Sequence, residues 1–292
     1  MTTTIARGRA YKFSHAIGRA SIEWPGMNWP VDVAVGQSGI VYVINRSDNS
    51  FVIPHVVKME LGGPGGEELI VEFGGPVHKD PVAVGEDIIA RVQKDGEFIW
   101  PTGITLDSEE NVYVSDDWFQ NISVYDKDGR FLRRWGSPGT DIGKLQGPSG
   151  LASDADDHIY VVDSRNHRIQ KFTKDGEFLS TWGRFGSGEG EFNLPWGITT
   201  DASGDVYVAD WKNHRVQKFT ADGHFVSQIG RAVPGAGGPE PSVDPLEVKT
   251  FGHLRRPGSG VGELNHPSDV AVDRDGDIYV VDWANDRVQI YA

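Results

Sequence analysis

Apolar and polar residues along this chain recur in short alternating runs rather than in helical stripes. Five runs are strongly β-prone and apolar at both alternating positions: IVYVIN, NVYVSD, HIYVVD, DVYVAD and DIYVVD. A strand with two apolar faces is covered on both sides in the folded protein. Asp-Gly pairs at 128–129, 175–176 and 222–223 predict tight hairpins between further strands. The pattern therefore predicts an all-β protein.

Each β-prone run belongs to a repeated unit that opens with a proline. The openings are Pro30, Pro101, Pro148, Pro195 and Pro267. The second to fourth lie 47 residues apart, and the third copy reads as four strands, which we call a to d. Such a unit must stack on its neighbours to bury its faces. We predict one β-propeller domain over residues 1–292, with five four-stranded blades, or six if one is degenerate.

The chain ends predict how the ring closes. The fifth copy stops at RVQIYA, after strand c, and the N-terminal segment Tyr11 to Arg19 is similar to the c–d portion of other copies. We expect this segment to complete the last blade. Two longer stretches, at about 74–97 and 231–250, fall between strand d and the next strand a. In a propeller these connections share one face with the b–c turns, and such loops are common sites of binding.

The repeated residues resemble a known family. The pattern P-x-G-[IL], then [VI]-Y-V-x-D-x-x-N-[HD]-R-[VI]-Q, then F-x-x-D-G, is similar to the NHL repeat, and the resemblance covers nearly the whole chain. It implies a β-propeller, with six blades in most members, whereas five repeats are counted here. The repeated Asp, Asn, His and Arg residues of this signature are expected to be structural, capping turns and pairing across blades.

The resemblance extends distantly to the peptidyl-α-hydroxyglycine amidating lyases of this family. In those enzymes, histidines that directly follow the opening prolines hold zinc. This chain has no histidine at the equivalent positions, which are Val31, Thr102, Ser149, Trp196 and Ser268. The lyases' zinc site is therefore not expected here.

The composition of the chain limits the classes of molecule that it is expected to bind. The formal net charge is −14, which argues against nucleic-acid and anionic-membrane binding. The chain has no cysteine and no long apolar run, and its first residues lack the apolar region of a secretory signal peptide. These features predict a protein of the cytoplasm that does not enter the membrane. They also exclude disulfides and thiolate chemistry.

The rim of the channel is the predicted binding region. Residues after the opening prolines and in the b–c turns should meet there and form an aromatic-rich surface. The candidate ligand contacts are Thr102, Trp118, Ser149, Arg165, Trp196, Trp211, Ser268 and Trp283. The alternative for the tryptophans is that they pack between blades.

The most specific candidate site in the sequence is a pair of aspartates, Asp32 and Asp269. They occupy equivalent positions in the first and fifth copies, where the other copies have glycine. If the ring closes, the two carboxylates stand side by side. Such a pair binds a divalent cation such as calcium or shares a proton. The alternative is that each caps its own strand.

The sequence is compatible with three functions. The first is a binding or scaffold protein for an unknown peptide, protein or small ligand. The second is a lyase, lactonase or hydrolase, with Asp32, Asp269 and Arg46 as candidate catalytic residues and a divalent metal as candidate cofactor. The third is RNA binding, which the resemblance implies for some relatives and the net charge disfavours. The fold alone does not choose among them.

Overall fold

The computed structural model describes residues 3–6, 9–12, 30–46, 54–63, 66–75, 94–230 and 262–291. Its strands form five antiparallel sheets in chain order, together with a short N-terminal hairpin. No helix in these ranges is long and apolar enough to cross a membrane. The protein is a five-bladed β-propeller, as the repeat count predicts.

The strands follow the repeat. The hairpin contains β1 (Thr3–Ala6) and β2 (Arg9–Lys12). Blade 1 contains β3 (Pro30–Val35), β4 (Ile40–Asn45), β5 (His55–Gly63) and β6 (Gly66–Phe73). Blade 2 contains β7 (Pro101–Leu106), β8 (Val112–Asp116), β9 (Asn121–Tyr125) and β10 (Phe131–Trp135). Blade 3 contains β11 (Pro148–Ser153), β12 (Ile159–Asp163), β13 (Arg168–Phe172) and β14 (Phe178–Trp182). Blade 4 contains β15 (Pro195–Thr200), β16 (Val206–Asp210), β17 (Arg215–Phe219) and β18 (Phe225–Ile229). Blade 5 contains β19 (Pro267–Val272), β20 (Ile278–Asp282) and β21 (Arg287–Tyr291).

The hydrophobic core is divided into layers between successive blades. One cluster joins blades 1 and 2, and three more join blades 2 to 3, 3 to 4 and 4 to 5. In the third blade, Tyr160 and Val162 pack towards blade 4, while Ile159 and Val161 pack towards blade 2. The two apolar faces of strand b are thus covered from both sides, as the sequence pattern predicts.

The interface between blades 5 and 1 differs from the others. Val33 on strand a of blade 1 is 54% exposed, whereas its equivalents Ile104, Leu151, Ile198 and Val270 are 3–5% exposed. Val35 of blade 1, and Val281 and Val288 of blade 5, are exposed as well. We call the space between these four valines the seam.

The predicted closing strand lies largely outside the described residues. Of Tyr11 to Arg19, only the first two residues are described, and they pair with Thr4 and Thr3 of β1. Blade 5 has three strands in the described part of the chain. Residues 76–93 and 231–250 of the predicted long loops also lie outside it.

In blades 3, 4 and 5, a buried aspartate at the end of strand b holds the b–c turn and the linker into strand a in place. In blade 4, Asp210 Oδ1 accepts a hydrogen bond from the backbone N of Asn193 at 2.8 Å. Asp210 Oδ2 accepts from Arg215 Nε at 2.9 Å and from Asn213 Nδ2 at 2.8 Å. The Arg215 guanidinium also donates to the carbonyl oxygens of Gly188 and Glu191.

The signature residues of the repeat are therefore structural, with one correction to their predicted partners. Arg168 and Arg215 form their ion pairs with an aspartate of their own blade, at 2.7 and 2.9 Å, rather than with a neighbouring blade. The reason is register, because each arginine lies directly opposite that aspartate across the b–c turn. Each also donates to backbone carbonyl oxygens of the linker that leads into strand a.

Replacing Asp210 tests this network. In Asp210→Ala the Arg215 side chain stays buried without its carboxylate, so we expect the free energy of unfolding to fall by about 3–5 kcal/mol. The measurement is denaturant unfolding. Asp141→Ala is the matched control, because that carboxylate is exposed and forms its ion pair with Lys144 at the surface. Equal effects of the two substitutions would contradict this assignment.

Candidate functional site

Thr102 and Ser149, two predicted ligand contacts, are buried between blades. Thr102 Oγ1 donates to the carbonyl oxygen of Pro148 at 2.7 Å. Ser149 Oγ donates to the carbonyl oxygen of Trp196 at 2.9 Å. Each hydroxyl therefore links its strand a to the next one. Trp196 and Ser268, at the equivalent positions of blades 4 and 5, are half-buried.

The b–c turns also reach across to a neighbouring blade. Arg46 is buried, and its Nη2 donates to the carbonyl oxygen of Pro101 at 2.8 Å. Its guanidinium lies 4.6 Å above the centre of the Trp100 ring. Arg165, in the b–c turn of blade 3, reaches back to blade 2, where its Nη1 and Nη2 donate to the two Asp117 oxygens at 2.7 and 2.9 Å. The Arg46 and Arg165 side chains thus hold neighbouring blades together.

Trp211 is buried in a similar contact. Its ring centre lies 4.8 Å from that of His266 in the next blade, and His266 lies 4.4 Å from His214. Burial, followed by the nearby His214 and Lys212, lowers the pKa of His266 to about 4. The ring is therefore neutral at physiological pH. Trp118 and Trp283, by contrast, are 43% and 44% exposed on the rim.

The two predicted aspartates come together at the channel. Asp32 Oδ1 accepts a hydrogen bond from the backbone N of Val33 at 2.8 Å. Asp32 Oδ2 accepts from the backbone N of Ile104 in blade 2 at 2.9 Å. Asp269 Oδ1 accepts from the backbone N of Val270 at 2.8 Å, and no described residue donates to its other oxygen. The two groups lie close enough to interact electrostatically.

Protein surrounds both carboxyl groups, although each residue is only partly buried. Burial raises the pKa of Asp32 well above its usual range, and the Asp269 charge raises it further. Burial also raises the pKa of Asp269 to about 6. Two carboxylates that share such a site resist being ionised together. Near neutral pH the pair therefore has a strong affinity for a proton or another cation.

Blades 2, 3 and 4 have glycine where blades 1 and 5 have these aspartates. A Cβ on Gly150 would lie 2.6 Å from the carbonyl oxygen of Trp196, and one on Gly197 would lie 2.6 Å from the Cα of Asp269. A side chain at these positions would force neighbouring strands apart. Close approach of the strands therefore confines the carboxylates to blades 1 and 5.

The seam valines are the part of the site that sequence reasoning missed. Val33 directly follows Asp32, and Val281 lies opposite Asp269 across the β19–β20 pair. Their apolar character matches that of buried residues in the other blades, so the sequence contains no signal of their exposure. Only the packing of blades 5 and 1 distinguishes them.

A second acidic cluster lies at the opposite end of the propeller. Asp154, Asp156 and His158 bring three ligand atoms within 4.8 Å of one another, the one such group of three in the described ranges. Asp154 already accepts hydrogen bonds from His158 and Tyr160 and pairs with Lys171 Nζ at 3.0 Å. Asp201 and Asp273 bond Tyr207 and Tyr279 in the same way, so this arrangement belongs to the a–b turns.

Comparison with known proteins supports the repeat assignment. The NHL repeat model matches residues 145–172, 192–219 and 264–291, which lie in blades 3, 4 and 5. The chain therefore contains NHL repeats. A 52-residue stretch is 42% identical to the RING finger protein nhl-1 of Caenorhabditis elegans. That stretch covers 18% of this chain and 5% of the relative, so it bears on the repeat alone.

Solved structures share the fold at low identity. A streptogramin B lyase matches with a TM-score of 0.50 and 12% identity, covering 90% of this chain and 82% of its own. A catalytically inactive histidine-to-alanine variant of virginiamycin B lyase from Staphylococcus aureus, with quinupristin, matches with a TM-score of 0.50 and 13% identity, covering 90% and 84%. A protein of unknown function from Bacteroides caccae matches with a TM-score of 0.52 and 11% identity, covering 87% and 70%. At these identities the likeness concerns the propeller fold.

The pKa values predict a pH-dependent stability. An acid whose pKa is higher in the folded state binds more protons folded than unfolded, so stability falls as pH rises from about 4 to above 6. Asp269→Asn removes the part of this loss that comes from Asp269 and from its charge on Asp32, and we expect it to raise the free energy of unfolding at pH 7.5 by roughly 1–3 kcal/mol. The gain should vanish near pH 4. Unfolding curves across this pH range test it, and a variant less stable than the wild type at pH 7.5 would contradict it.

Gly197 tests the packing that positions Asp269. In Gly197→Ala the new methyl group collides with Asp269 and with the carbonyl oxygen of Ser268. We expect a loss of about 1–3 kcal/mol in the free energy of unfolding. Gly188→Ala is the control, because its methyl group would meet only the flexible Glu191 side chain. The packing argument fails if both variants unfold at the wild-type denaturant concentration.

Proposed function

We propose that this protein is a ligand-binding propeller that recognises a small molecule or peptide carrying a cationic group. The observation that carries the proposal is the Asp32–Asp269 pair, two neighbouring carboxylates at the channel in blades 1 and 5. A cation between them relieves the repulsion that makes it unfavourable to ionise both.

The surroundings of the pair favour an amphiphilic ligand. The seam valines offer an apolar surface near Asp269, since Val281 lies opposite Asp269 across the β19–β20 pair. Trp283, in the b–c turn of blade 5, is exposed on the same rim. An apolar surface with a few convergent charges is the usual composition of a small-molecule site. The cationic group would lie at the aspartates and the apolar part against the valines and the tryptophan.

The other candidate contacts have smaller parts in this proposal. Ser268 and Trp196 are half-buried on strands a of blades 5 and 4 and remain candidate ligand contacts beside Asp269. Trp118 is exposed but belongs to blade 2, which blade 1 separates from the seam. Thr102, Ser149, Arg46, Arg165 and Trp211 would support the rim through their contacts between blades.

A divalent cation such as calcium is a further ligand for the same pair. Calcium binds oxygen ligands, and the free oxygen of Asp269 and the carboxylate of Asp32 supply them. The pair alone provides fewer oxygens than calcium prefers, so water or a ligand group would complete the shell. A calcium titration of the wild type and of Asp269→Asn decides this point.

An enzyme of the lyase, lactonase or hydrolase type is the second candidate function. It is favoured by one observation, the raised pKa of Asp269 beside a second carboxyl group. At neutral pH such a pair supplies both a general acid and a general base. Catalysis would then follow a bell-shaped pH profile, and either Asp→Asn substitution would abolish it.

Binding of phenylethylamine, compared with its neutral analogue phenylethanol, tests the proposed function. We expect the amine to bind at least tenfold more tightly, and either Asp32→Asn or Asp269→Asn to remove that preference. Calorimetry or tryptophan fluorescence measures both affinities. Asp156→Asn is the control, since this carboxylate lies in the opposite face. Equal affinity for the two compounds, or no binding of the amine, would refute the cationic ligand.

A further inference from the structure

Blade 1 departs from the repeat at the end of its second strand. In blades 3, 4 and 5, strand b ends in an aspartate that faces an arginine across the b–c turn, as Asp163 faces Arg168. In blade 1 the facing residues are Asn45 and His55. An ion pair has been replaced by an amide and an imidazole. Breaks in an otherwise regular pattern are where function is expected.

A third polar side chain joins these two. Glu72 on β6 faces Val57 of β5, on the same side of the sheet as Asn45 and His55. His55 Nε2 lies 3.9 Å from Glu72 Oε1, and both side chains are at least 93% buried. The distance is too long for a hydrogen bond.

The amide group of Asn45 is buried without hydrogen bonds to any described residue. It is 1% exposed, and within the described part of the chain neither its Oδ1 nor its Nδ2 has a hydrogen-bond partner. A buried polar atom without a partner is costly, so such groups are rare in folded proteins. Glu72 Oε1 is likewise buried without a hydrogen-bond partner among the described residues.

We infer that Asn45, His55 and Glu72 form a buried site for a divalent transition-metal ion such as zinc. An imidazole nitrogen, a carboxylate oxygen and an amide oxygen are a suitable ligand set for such an ion. Ligand atoms about 2.1 Å from a tetrahedral metal lie roughly 3.4 Å apart, so the His55–Glu72 gap closes with a small side-chain rotation. The ion would supply a partner to both the Glu72 carboxylate and the Asn45 oxygen.

The other acidic sites of the protein are poorer candidates for this ion. Asp32 and Asp269 offer oxygen without nitrogen, which suits a hard cation instead. In the Asp154–Asp156–His158 cluster, Asp154 already has the Lys171 ammonium beside it at 3.0 Å. The blade 1 site lies on the second, third and fourth strands of that blade, whereas Asp32 lies on the first.

Cobalt(II) titration of the metal-stripped, full-length chain tests the inference. Cobalt takes zinc sites and reports its coordination through visible absorption. We expect one equivalent to bind and zinc to displace it. His55→Gln and Glu72→Gln should each weaken cobalt binding at least tenfold, whereas Asn45→Asp, which adds a charge, should retain or tighten it. His158→Gln is the matched control and should bind like the wild type.

The outcomes separate a metal from a buried water. Absence of stoichiometric cobalt binding by the wild type would overturn the inference and leave water as the bridging group. So would binding that survives in both His55→Gln and Glu72→Gln but is lost in His158→Gln. Circular dichroism of each metal-free variant checks its folding. If one of the two weakening variants fails to fold, the other gives the answer.

Discussion

A blade of this protein has two apolar faces, and each must be covered by another blade. This constraint explains why the core is distributed in layers between sheets rather than gathered inside one of them. It also explains the glycines at the channel, since Gly150 and Gly197 let neighbouring strands approach closely enough to seal the layers. The buried aspartates at the ends of strands b then anchor the linkers that carry the chain from one blade to the next.

The candidate site arises where this regularity ends. Blades 1 and 5 carry an aspartate where the other blades carry glycine, and the valines beside these aspartates are exposed while their equivalents are buried. Burial raises the pKa values of these two aspartates, Asp32 and Asp269. A ligand with a positive charge and an apolar body would satisfy both features of the seam.

Much of the fold could be predicted from the sequence, because it depends on local and repeated signals. The proline openings and two-sided strands mark the blades, and they lead to the same count as the structure. The meeting of Asp32 and Asp269 could be anticipated from their equivalent positions, given a closed ring. The hydrogen bonds between blades could not be predicted from the sequence, since nothing near Thr102 or Arg46 indicates which carbonyl oxygen each will bond. The exposure of Val33 was equally hidden, because an isolated valine looks the same on an open seam as in a core.

The titration of the two aspartates tests the central claim most directly. Carbon-detected NMR of the side-chain carboxyl groups, in the wild type and in Asp269→Asn, gives their individual pH dependence. The account predicts that Asp32 and Asp269 titrate well above the usual range, and that removing the Asp269 charge lowers the pKa of Asp32. Two carboxyl groups that titrate near their ordinary values, each indifferent to the other, would contradict it.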